Sequence, residues 1–144
     1  MLKSVGGVIV GYIVMFILVF VLFSLAYMAL GANGAFKPGT YDVSTLWLAI
    51  SVVVGLVAAI VGGFICSLIA PNSKAPLALV VLVLVLGLLT AIPVLMSNDP
   101  RPNIRDASVG NLEAMMNARQ PAWIALLNPL IGAVGVMLGS RMKK

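Results

Sequence analysis

Between Asp42 and Lys74 the chain carries no charged residue at all, and Leu46 to Ala70 within it is an almost unbroken apolar run. A stretch of that length crosses the roughly 30 Å hydrocarbon core of a bilayer as a single helix. It also settles what else is possible, because in lipid every backbone polar group must be satisfied internally. Small residues recur in it at every fourth position: Ser51, Gly55, Ala59, Gly63 and Ser67. At helical spacing they form one stripe, and a smooth stripe lets a second helix approach backbone to backbone. Gly62 widens it. This helix is therefore expected to be the one on which the others pack.

Three further apolar runs accompany it. The first spans about residues 5–30 and exceeds the 7–15 residues of a secretory signal's apolar region. Gly7 and Gly11 form a G-x-x-x-G at its start. The third spans 77–96, with Pro93 expected to kink its far end. The fourth spans 121–138, with Pro121 suited to a first helical position and Asn128-Pro129 expected to interrupt it. The spacing predicts an all-α integral membrane protein, residues 1–144 forming one domain of four transmembrane helices. They are arranged as two serial hairpins. The six residues Pro71 to Pro76 make a turn so short that the second and third helices should be antiparallel neighbours.

The connections differ in character. Residues 31–44 hold Gly31, Gly34, Pro38 and Gly39, which break helices, and Asp42, Ser44 or Thr45 stands ready to cap the next one. Residues 97–120 form the only sizeable polar segment. Asn111 to Arg119 reads as a short interfacial helix, with Leu112, Met115 and Met116 on one face, Glu113 in its first turn and Arg119 in its last. The charged residues of this segment read as solvated. Tyr27, Trp47 and Trp123 fall where interfacial aromatic belts lie.

Composition supports the class and excludes others. Of 144 residues, 62% are hydrophobic and only 9% charged, against about a quarter charged in soluble domains. The net charge of +5 is scattered between the apolar runs, which suits a topology signal and not a nucleic-acid surface. One side of the predicted bundle has Lys3, Lys74, Arg141, Lys143 and Lys144 and no acid. The other mixes Lys37, Arg101, Arg105 and Arg119 with Asp42, Asp99, Asp106 and Glu113. A multi-pass protein of the cell membrane with both termini cytoplasmic follows.

The chemistry available is narrow. Histidine is absent, and there is one cysteine, Cys66. That removes histidine-based nucleophiles, zinc clusters and internal disulfides. No span holds an acid or a base, whereas ion-coupled transporters place one there, and four-span multidrug exporters depend on an embedded glutamate. Asp99, Asp106 and Glu113, with Asn98 and Asn103, do not match a calcium loop. Cys66 reads as a packing residue, with lipidation as the alternative. The expectation is no enzyme, no cofactor and no metal.

Ser51, Thr90 and Asn128 remain as polar groups within spans, at similar depth from one end when counted at about 1.5 Å per residue. They form the candidate intramembrane cluster, either an interhelical lock or a small polar pocket. The functional expectation is a structural or accessory subunit of a membrane complex. Its alternative is a small oligomeric channel or transporter for a small solute. Its partners would be the bilayer and a membrane protein or further copies of itself.

Overall fold

A computed structural model describes residues 2–71, 74–97 and 100–143. Among them there are five helices and no strands: α1 (Leu2–Ala35), α2 (Thr45–Ile69), α3 (Ala75–Met96), α4 (Asn111–Asn117) and α5 (Ala122–Arg141). Four of them, all but α4, are long and apolar enough to cross a membrane.

The bounds follow local chemistry. In α1 the helical path breaks at Gly31, whose φ of 67° lies in the left-handed region that a side chain disfavours. One more turn, not anticipated from the sequence, carries the helix on to Ala35. Ser44 caps α2: Trp47 N–H donates to its Oγ at 3.1 Å, while that hydroxyl donates to the Gly34 carbonyl at 2.6 Å. α3 begins at Ala75 with Pro76 in its first turn, and runs through Pro93 to Met96. α5 likewise runs through Pro129 without interruption, and Pro121 is its N-cap rather than its first residue.

α4 ends at Asn117, short of the expected Arg119. The Arg119 backbone is claimed elsewhere: its N–H donates to Tyr41 O at 2.8 Å and its carbonyl accepts from Val43 N–H at 3.0 Å. That bridge competes successfully with another helical turn, helped by Pro121 two residues on.

The helices pack in the cyclic order α1, α2, α5, α3. α2 lies closely against both α1 and α5, α3 lies against α5, and the α1–α3 seam is thinner. α2 and α3 occupy a diagonal and touch little, which corrects the expectation that they are neighbours. Ala70 and Ala75, both buried, bring them together at the turn. Beyond it, the small residues of α2 are occupied by α1 and α5, and the bulky Leu-Val start of α3 has no matching groove there.

Glycine makes these seams. A Cβ on Gly11 would stand 2.9 Å from the Gly62 carbonyl, and one on Gly7 3.0 Å from that of Cys66. Cys66 is fully buried there. A Cβ on Gly63 would lie 2.7 Å from Val136 Cα, and one on Gly135 would meet the Ala59 methyl at 2.5 Å. α3 and α5 interlock differently, as Gly87 leaves a notch for the Pro129 ring.

At one end the two longer connections fold into a common cap. Tyr27, Ala35, Phe36, Val43 and Ala114 form its apolar centre. Tyr27 and Trp47 meet edge to face at 6.2 Å. These two aromatics are thus internal to the cap and not part of a lipid-facing belt, unlike the exposed Trp123.

Candidate functional site

The candidate polar residues stand at one level. Ser51, Thr90 and Asn128 are each six residues from the cap-side end of their helices, or about 9 Å along the axis. All three line one cavity of about 360 Å³ between α1, α2, α3 and α5. Its walls include Tyr12, Met15 and Phe23 from α1, Gly87 and Thr90 from α3, and Gln120 at its upper edge. A second lobe of about 380 Å³ lies beneath α4 and shares Val19, Phe23, Ser51, Gln120 and Asn128 with the first. The two adjoin at these shared walls and are together called the chamber.

The three polar groups do not bond to one another. Ser51 Oγ donates to Leu48 O at 2.7 Å and Thr90 Oγ1 to Gly87 O at 2.9 Å, both within their own helices. The Asn128 and Gln120 amides find no hydrogen-bond partner among the described residues. Yet no sealed side-chain nitrogen or oxygen lacks a partner among them. The unmet donors and acceptors of Asn128 therefore face open space in the chamber. An amide offers two donors and an acceptor, so this site presents hydrogen-bonding capacity to an occupant.

The small-residue stripe of α2 divides along its length. Ala59 and Gly63 lie in the α5 seam. Ser67 is buried near the far end, where its carbonyl accepts from Lys143 Nζ at 3.3 Å. Gly55 has nothing within 4 Å of where a Cβ would stand, and with Ser51 it lines the chamber instead. The cap-side part of the stripe, Ser51 and Gly55, is a cavity wall and the rest is packed. A second small edge, Gly62 and Cys66, serves α1.

Nothing charged lines either lobe among the described residues. Toward the far end the chamber is closed where Gly11 of α1 meets Leu79 of α3 on one side and Gly62 of α2 on the other. Above, it is roofed by the cap. Tyr27 Oη donates to Val109 O at 2.6 Å, and Asn111 Nδ2 donates to Ser24 Oγ at 3.1 Å, tying the α4 segment to α1.

The cap contains a residue whose role sequence reasoning missed. Arg105 is only 6% exposed, not solvated. Its guanidinium donates to Thr40 O at 3.0 Å, to Asp106 O at 3.1 Å and to Asn33 Oδ1 at 3.4 Å, and its Cζ lies 5.5 Å from the centre of the Phe36 ring. Neutral carbonyl oxygens and an aromatic face thus hold a buried cation. Asn103 bonds both the Tyr41 N–H and Asp42 Oδ1, and Glu113 accepts from Tyr41 Oη at 3.2 Å. Of the acids weighed as a cation site, Asp106 is exposed and Glu113 is engaged by Tyr41. Asn98 and Asp99 lie outside the described residues. No three of Asp, Glu, Cys or His group together among the described residues.

Compared with known proteins, the chain matches no family model, no curated protein and no solved structure.

Proposed function

We propose that this is a non-enzymatic, multi-pass protein of the cell membrane, and that its working part is the chamber, a receptacle for an uncharged ligand. It would serve as an accessory subunit that brings this receptacle to a larger membrane complex. The observation that carries the reading is the Asn128 amide, unmet by any described residue and open to a cavity without charge. Ligand cavities of a few hundred Å³, mostly apolar with a few convergent polar groups, are the common form of a small-molecule site.

In this reading the chain enters the bilayer as two hairpins, α1–α2 and α3–α5, with α4 at the interface. The acid-free basic end faces the cytoplasm and the cap faces out. Single-cysteine labelling from outside tests the orientation: a cysteine at position 113 should react and one at 74 should not. The reverse pattern inverts it.

A second reading is a small oligomeric channel or transporter for a small solute, favoured by the same chamber. It requires the closure between Leu79, Gly11 and Gly62 to open. Copurification from native membranes in mild detergent separates the two. A stoichiometric larger partner supports the accessory role. A pure homo-oligomer, whose reconstituted flux is abolished by Asn128→Leu while folding is kept, supports the transporter and overturns it.

A further inference from the structure

We infer that the chamber takes a neutral lipid from the bilayer, its tail lying between α1 and α3 and its uncharged hydroxyl or ester head against Asn128 and Gln120. This rests on the chamber being a ligand site. Three features of the chamber identify the class of occupant.

The first is where the chamber opens. α1 and α3 meet near Gly11 and Leu79 in the thinner seam of the bundle, and toward the cap both line the cavity, α1 with Met15, Val19 and Phe23 and α3 with Leu86, Gly87 and Thr90. Thr90 is exposed. Phe16, Phe20 and Leu89, each next in sequence to a lining residue, are exposed. A seam so flanked opens sideways onto hydrocarbon and not onto water, so what enters must be soluble in lipid.

The second is charge. No charged side chain lines either lobe among the described residues. An ionic head placed there would lose its hydration with no opposite charge to meet it. Phosphate-bearing and carboxylate-bearing lipids are disfavoured.

The third is polarity along the chamber. The deep end, at Met15 and Val83, is apolar but for the single hydroxyl of Tyr12. The amides of Asn128, Gln120 and Asn111 gather toward the cap. An amphiphile matches that gradient, with its head toward the cap. Asn128 can both donate to an ester carbonyl and accept from a hydroxyl. The roof of α4 and the residues before it, tied to α1 by the Asn111–Ser24 and Tyr27–Val109 bonds, covers those groups on the cap side.

The test is photocrosslinking of the full chain in phosphatidylcholine vesicles with a diazirine-bearing diacylglycerol. Adducts should map to the chamber walls of α1, α3 and α5 and be displaced by unlabelled diacylglycerol but not by phosphatidylglycerol. Asn128→Leu should reduce them about fivefold, the worth of one or two hydrogen bonds in such a site. Gly55→Leu should abolish them, because its side chain enters the chamber from a position with free space and leaves the seams intact. Adducts spread over Phe16, Leu89 and Leu130, unchanged in both variants, would overturn the inference.

A companion variant, Gly55→Cys, separates the two readings, since the buried Cys66 provides a silent background. Rapid reaction of position 55 with N-ethylmaleimide without chamber crosslinking means a water-filled receptacle, so the lipid falls and the ligand site stands. Neither reaction nor crosslinking means a sealed space, and both fall.

Discussion

Gly63 and Gly55 sit two turns apart on one stripe, and alanine at each should act in opposite directions. Both substitutions gain the same helix propensity, up to about 1 kcal/mol, so their difference isolates packing. At Gly63 the new methyl would stand 2.7 Å from Val136 Cα and closer still to the Val136 carbonyl. Carbon atoms rest about 3.5 to 4.0 Å apart, so α5 must withdraw by roughly 1 Å. The obstacle is backbone, which cannot rotate aside, and the movement also loosens the Gly135–Ala59 contact in the same seam. Overpacking of this kind costs about 1–3 kcal/mol. At Gly55 the methyl meets nothing within 4 Å. Gly63→Ala should therefore melt below Gly55→Ala by roughly 2–12 °C, at about 2–4 °C per kcal/mol for a chain near this size. Thermal unfolding in one mild detergent, followed by circular dichroism, measures the gap. Equal melting temperatures, or a lower one for Gly55→Ala, would refute the division of the stripe into seam and cavity wall.

Other perturbations probe the chamber and the cap. Asn128→Leu should shift stability by no more than about 1 kcal/mol in either direction, because the amide has no internal bond to lose; a large loss in a melting curve would mean that it does. Arg105→Gln removes charge-assisted bonds to Thr40 and Asp106, each worth about 1.5–3 kcal/mol. It should raise hydrogen exchange in 36–44 and 103–110 while leaving α2 protected. Burial, then the neighbouring Glu113 carboxylate, raise the Tyr41 phenol above 10.0. Its contribution to cap stability is complete below the unfolded value and lost as pH rises through the higher folded one. Alkaline titration should thus loosen the cap in the native chain and less so in Tyr41→Phe, as read by hydrogen exchange in residues 36–44.

How much of this could be read from the chain depends on which interaction decides each feature. Four apolar runs declare four long helices, since length and the cost of unsatisfied backbone in lipid leave little else. Ser51, Thr90 and Asn128 could be placed at one level because helical rise is a constant. What stayed hidden was rotational. Gly55 and Gly63 are indistinguishable by spacing, and only where α5 comes close decides which meets a neighbour. The diagonal placement of α2 and α3 was hidden for the same reason, as a short turn limits distance but not which faces match. Arg105 was unreadable because its partners are backbone carbonyls, which every residue possesses. The end of α4 depended on a bridge to Tyr41 and Val43, far away in sequence.

The diagonal has a consequence for how the molecule is assembled. α5 is the last of the five described helices to be made, yet it fills the gap between α2 and α3 and supplies one side of the α2–α5 and α3–α5 seams. Until it arrives, Ala59 and Gly63 face lipid and the notch at Gly87 stands empty. The pair α1–α2 can close on its own, whereas α3 must wait in the membrane with its main partner still unsynthesised. The chamber does not exist during that interval. Completion of the last helix creates in one event the interface that holds the bundle and the space within it, so no partly built form of this protein can retain an occupant.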